Sequence, residues 1–93
     1  MALNFEILFH SNVVKEDIAN ISLTWREKIR VAIEEKLTVA PDFYGKPLRR
    51  SLRGYRKLRV GNYRVIFRIQ GQKIYVLAIM HRSVVYQKLT NRL

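Results

Sequence analysis

The sequence predicts an α+β domain on three observations. An opening stretch alternates apolar and polar residues, the chain from Val14 to Leu37 repeats apolar residues at helical spacing, and from Tyr55 three apolar runs are separated by two short turn signals. That order reads as an N-terminal strand, an antiparallel two-helix hairpin and an antiparallel three-stranded meander, with the helices packed on one sheet face.

Each element has its own justification. Leu3, Phe5, Ile7 and Phe9 alternate with Asn4, Glu6, Leu8 and His10, the period-two pattern of a strand. Ser11 and Asn12 are candidate caps for a first helix, with Glu16 and Asp17 in its early turns and Val14, Ile18 and Ile21 on its apolar stripe. Ser22 to Thr24 breaks that helix, and Thr24 is expected to cap a second one whose Trp25, Ile29, Ile33 and Leu37 share a face. Pro41 and Gly45-Lys46-Pro47 punctuate a loop. Strands follow at Tyr55 to Val60, Tyr63 to Ile69 and Lys73 to Met80, joined by Gly61-Asn62 and by Gln70-Gly71-Gln72. The third is apolar on both faces, as an interior strand should be, and Ser83 to Leu93 forms a short helix or an arm. Phe5, Phe9, Trp25 and Phe67 are expected in the core, and His10 is expected to be structural.

Composition narrows the function. The 93 residues suit a single domain spanning 1–93. The absence of cysteine removes disulfides, zinc ribbons and thiol nucleophiles, and two distant histidines leave little to hold a metal, so no cofactor is expected. The longest apolar run, Ile74 to Met80, is far short of the roughly 20 residues a membrane span needs, and a cytoplasmic protein is expected. Charge is the strongest signal. All seven acids lie in residues 1–42, with five bases, whereas residues 43–93 hold thirteen bases and no acid. Unpaired like charge costs stability unless something outside neutralises it, so an anionic ligand is expected.

The Gly61-Asn62 turn sets a register. A two-residue hairpin pairs Val60 with Tyr63, Arg59 with Arg64, Leu58 with Val65, Lys57 with Ile66 and Arg56 with Phe67. Parity then places Leu58, Val60, Tyr63, Val65 and Phe67 on one apolar face, and Tyr55, Lys57, Arg59, Arg64, Ile66 and Arg68 on the other. Arg59 and Arg64 face each other directly, a repulsive pair that a bridging anion would relieve. The plainer alternative is long Arg stems covering an exposed sheet with their heads in water. At the end of the third strand, His81, Arg82 and Tyr86 could reach the same face.

Such a patch suits metal-free RNA cleavage, in which the ribose 2′-OH attacks the adjacent phosphate. The reaction needs a base, cationic donors for the phosphorane and an acid for the leaving 5′ oxygen. Lys57, crowded by arginines that disfavour its ammonium form, is the candidate base. Arg59, Arg64 and Arg82 would clamp the phosphate, and His81 or Tyr86 would move the second proton. Arg49, Arg50, Arg53, Arg56 and Arg68 are candidates for further phosphate contacts. With no acid in the basic half, Ser-His-Asp chemistry and Mg²⁺ sites find no support.

The run Arg56-Lys57-Leu58-Arg59-Val60-Gly61-Asn62-Tyr63-Arg64-Val65-Ile66-Phe67, followed by His81-Arg82 and Tyr86, resembles the RelE/ParE toxin superfamily. The resemblance implies the toxin of a toxin–antitoxin pair. RelE-type members cut mRNA in the ribosome and so inhibit translation; ParE-type members inhibit DNA gyrase without nuclease activity. It matches Lys57 and Arg59 to the alternating basic pair of the RelE-type strand, Arg64 to the Arg after the next strand's Tyr, and Arg82 and Tyr86 to the late Arg and C-terminal Tyr. The leading expectation is a ribosome-dependent mRNA endoribonuclease whose partners are the ribosome, mRNA and an antitoxin with an acidic, amphipathic segment. A gyrase inhibitor and an inactive basic binding relative are the alternatives.

Overall fold

The structure is a computed structural model that describes residues 4–93, so Leu3 of the expected first strand lies outside the described residues. Five strands form one sheet: β1 (Glu6–Phe9), β2 (Lys46–Pro47), β3 (Arg56–Val60), β4 (Tyr63–Gln70) and β5 (Lys73–His81), in the order β1-β5-β4-β3-β2. β1 runs parallel to β5 and every other pairing is antiparallel. The expected meander is present, and β5 lies in the sheet interior between β1 and β4. The two-residue β2 was not anticipated.

The Gly61-Asn62 turn delivers the expected register at all five pairs, Arg59 opposite Arg64 among them. Gly61 adopts φ +58°, which an L side chain resists. It also carries the ring of Trp25 on its backbone, so that a Cβ added there would lie 2.3 Å from Trp25 Cη2.

Side chains of β3, β4 and β5 divide between two cores. On the first face, Leu58, Val65, Phe67, Ile74, Val76 and Ile79 meet Val13, Ile21, Ile29, Ile33 and Leu37 from the helical part of the chain. The second helix is α1 (Leu23–Ala32), continued by a wider turn over Ile33–Leu37. Its N-cap is Ser22, whose hydroxyl accepts from the Trp25 N–H, rather than Thr24, so the helix begins earlier than predicted.

The first helical segment differs more. It is a π-type turn over Val13–Asp17 followed by a 3₁₀ turn over Ile18–Asn20, and neither Ser11 nor Asn12 caps it with a side chain. His10 takes that part, its Nδ1 accepting the Asn12 N–H at 3.1 Å, which gives His10 the structural role expected of it. The buried stripe runs through Val13, Asp17 and Ile21, while Val14 is 60% exposed. Of the predicted stripe, Ile18 and Ile21 do meet the core and only Val14 does not; Val13 and Asp17 take the inward positions before them. Phe9 is likewise no core residue: it sits on the helix side of an edge strand and lines an open apolar cleft of about 460 Å³ with Ile18, Ile21 and Ile29.

The second face is covered too, in part. Ile66, Leu77, Ala78 and Met80 pack under Val85 and Leu89 of the C-terminal helix α3 (Val85–Leu89), with Leu48, Leu52 and Tyr55 of the preceding loop at the margin. A β-bulge makes this possible. Between the pairs Phe67–Val76 and Ile66–Ala78, β5 holds the extra residue Leu77, so alternation skips and Leu77 and Ala78 both turn to the second face.

Substitution at the two hairpin glycines separates strain from clash. Gly71 shares the positive φ but has open space around it. Gly71→Ala is therefore expected to cost about 1 kcal/mol, and Gly61→Ala clearly more, roughly 2–4 kcal/mol, in urea unfolding; equal losses would contradict the Trp25 contact.

Candidate functional site

The candidate site is the second sheet face at the β3–β4 hairpin. Lys57 lies opposite Ile66 on one side and Lys46 of β2 on the other; Arg59 lies opposite Arg64; Arg68 lies opposite Tyr75 of β5. Direct cross-strand partners are about 4.5–5.5 Å apart at Cα and diagonal ones within reach of long side chains. Lys57 therefore has Lys46 beside it, Arg59 two residues along, and Arg64 and Arg68 on its diagonals. Lys46 was missed in the sequence because a two-residue strand ending in Pro47 carries no period to read.

Beneath the charges lies the apolar floor of Ile66, Ala78 and Met80, closed by Val85 and Leu89. An anion on this face would have a poorly polarisable protein surface beneath it, so each cation acts on it more strongly than in open water. Among the described residues, Arg92 is the one base of the thirteen in residues 43–93 with a carboxylate within salt-bridge distance.

The face relieves its own repulsion in two places. Arg64 turns its Nη1 back to the hairpin, donating to the carbonyls of Gly61 and Tyr63, both at 2.9 Å. Arg68 lies 5.0 Å over the ring of Tyr75. Arg59 is exposed and has neither kind of partner.

The remaining candidates divide. Arg82 extends the β5 ladder by one position, its N–H donating to Asn62 O at 2.8 Å, which by parity aligns it with Met80 and Arg64. Tyr86, 41% exposed, lies on α3, whose Val85 and Leu89 pack on the same face. Arg49, Arg50 and Arg53 are exposed on the loop whose Leu48 and Leu52 anchor in the second core.

Two candidates are placed elsewhere. Arg56 pairs with Phe67 on the helix side and donates through Nη1 to the carbonyls of Gly45 at 2.9 Å and Asp42 at 3.3 Å, tying down the short helix α2 (Pro41–Tyr44). Its odd position in the strand already implied the opposite face. His81 pairs with Tyr63, its ring edge-on to that tyrosine at 5.6 Å, so it joins the helix side. Its Nδ1 accepts the Ser83 N–H at 3.2 Å and lies 2.8 Å from Ser83 Oγ, which keeps the proton of the neutral ring on Nε2. No group of three or more metal-ligating side chains occurs among the described residues.

The arrangement is a cluster of cations on one sheet face, chemistry that suits an anionic ligand. Over residues 10–86 the sequence matches the family described as the ParE toxin of the type II toxin–antitoxin system, parDE. The chain belongs to this toxin family.

Among solved structures, the toxin is similar to a chain of the toxin–antitoxin complex RelBE2 from Mycobacterium tuberculosis, with 25% identity and a TM-score of 0.80 over 89% of this chain and 97% of that one. It is similar to a chain of the RelB–RelE antitoxin–toxin complex from Methanococcus jannaschii, with 25% identity and a TM-score of 0.65 over 86% and 95% of the two chains. YafQ from E. coli shares the fold, at 15% identity and a TM-score of 0.62 over 88% and 98%. No curated protein matches the sequence. The RelE/ParE superfamily and the α+β fold expected from the residues are thus both found. No helix among the described residues is long and apolar enough to cross a membrane.

The two kinds of arginine should separate in binding. Arg59→Ala is expected to weaken binding of the toxin to poly(U) and to lower the log–log salt slope by about 0.7, the loss of one phosphate contact on a single strand. Arg56→Ala is expected to leave that slope unchanged and to lower stability by about 1–3 kcal/mol through its orphaned carbonyls.

Proposed function

We propose that this toxin is a metal-independent, ribosome-dependent mRNA endoribonuclease. The single observation that carries the reading is the hairpin face: Lys57, Arg59 and Arg64 share one side of the sheet with no carboxylate to neutralise them, beside the apolar core that α3 closes. Its structural likeness to RelE-named chains supports the same branch.

In this reading a phosphodiester lies along the hairpin. Arg59 and Arg64 hold its non-bridging oxygens, with Arg82 at the far end, and the cationic pair stabilises the charge that gathers on the phosphorane. Arg64 leaves its carbonyl partners at the turn to do so, exchanging neutral acceptors for a charged one. Lys57 takes the proton of the 2′-OH as that oxygen attacks the neighbouring phosphorus. The P–O5′ bond breaks, and Tyr86 protonates the leaving oxygen, which yields a 2′,3′-cyclic phosphate and a free 5′-OH. His81 has no part, because its ring faces Tyr63 across the sheet. Arg49, Arg50, Arg53 and Arg68, on the flanks, bind neighbouring phosphates.

The natural partner is an antitoxin whose acidic segment neutralises these same cations. Contact with ribosome and RNA should be strongly salt-dependent.

A second reading is favoured by the family description itself, which is that of ParE: inhibition of DNA gyrase without chemistry. Pulse labelling of cells expressing the toxin separates the two. The ribonuclease reading predicts that protein synthesis falls first, and that Arg64→Ala or the combined Lys57→Ala, Arg59→Ala change restores growth. DNA synthesis falling first, with Tyr86→Phe as toxic as the parent, would establish the gyrase reading instead.

A further inference from the structure

α3 is only five residues long, followed by a single 3₁₀ turn over Thr90–Arg92. A helix of that length has no stability of its own and exists where it is docked. Two apolar side chains, Val85 and Leu89, enter the second core. The remaining anchor is Arg92, whose side chain is 6% exposed and faces Asp17, 4% exposed. The guanidinium binds both carboxylate oxygens, at 2.6 and 2.7 Å, and reaches Leu77 O at 3.2 Å and Glu16 Oε2 at 3.3 Å.

The location of this pair is specific. β1 ends opposite Val76, so beyond it the outer edge of β5 has no neighbouring strand. The Ile79 N–H donates there to Asp17 Oδ2 at 2.9 Å, and Leu77 O accepts from Arg92. The ion pair stands in for the missing strand and at once fixes the end of the chain to the bulge. The hydrogen bonds to Asp17 also hold the Arg92 guanidinium above its ordinary range.

A buried ion pair adds little net stability over a well-packed apolar pair, and what it supplies is one fixed geometry. Tyr86 lies between the two docked residues Val85 and Leu89 on the same short helix, so its position is only as well defined as the docking. We infer that Arg92, through Asp17, is a positioning residue of the toxin's site: it holds α3 on the sheet and thereby fixes where Tyr86 stands. The docking half stands on the geometry alone, and the catalytic half rests on the ribonuclease reading above.

Arg92→Lys keeps the charge and removes the fork, and Asp17→Asn breaks the same pair from the other side. Hydrogen exchange of the full-length toxin is expected to show α3 amides exchanging at least tenfold faster in both variants, with those of β3 and β4 unchanged. In ribosome-dependent mRNA cleavage, Arg92→Lys should lower kcat about ten- to a hundredfold with little change in KM, and should have no further effect in a Tyr86→Phe background. Unchanged α3 exchange in whichever variant folds would overturn the inference, as would losses from Arg92→Lys and Tyr86→Phe that multiply. Where the wild-type toxin cuts no mRNA, the ribonuclease reading fails by itself, and the exchange result alone decides whether Arg92 holds the helix.

Discussion

At Leu77, β5 carries one residue more than β4 opposite it, and the two-faced character of the molecule follows from that insertion. Without it, strict alternation would send Ala78 and Met80 to the helix face and put Ile79 and His81 on the second. With it, Ile74, Val76 and Ile79 complete the large core while Leu77, Ala78 and Met80 build a smaller one on the other side. The same skip sets Met80 under Arg64 and turns His81 away from it. Bulges bend a strand and disturb its ladder, and here the disturbed edge is met by Asp17 and Arg92.

The second core is what makes a cationic surface usable. Eight bases from β2, β3, β4 and the adjoining loop stand around a sheet face that would otherwise be wet on both sides of each side chain. Ile66, Ala78 and Met80 exclude water from below, which strengthens the field of the cations above them. The toxin eases that charge by local means: Arg64 rests on turn carbonyls, Arg68 on an aromatic ring, and Arg56 is diverted to a structural use.

Much of this was legible in the chain. The hairpin register followed from Gly61-Asn62, because a two-residue turn leaves no freedom in pairing, and with it came the face shared by Lys57, Arg59 and Arg64. The uneven charge between the two halves pointed to an anion. What escaped notice depended on contacts between distant residues. Leu77 and Ala78 are both apolar, so a change of face between them leaves no trace in the pattern. Asp17 reads as a solvent-facing residue of the first helix until Arg92, 75 positions later, arrives beside it. Phe9 lies on the expected face, yet β1 is an edge strand and the cleft beside it stays open. His81 drew attention by its company with Arg82, although neighbours in a strand point to opposite faces; counting back from the end of β5 to Tyr63 would have placed it.

The central claim is that the hairpin face performs chemistry on mRNA rather than holding a protein. A purified translation system programmed with a defined message, with and without the toxin, followed by primer extension, tests it most directly. The account predicts new 5′ ends at codon-spaced positions that require ribosomes and disappear with Arg64→Ala. A message left intact while the toxin is folded and binds RNA would contradict it.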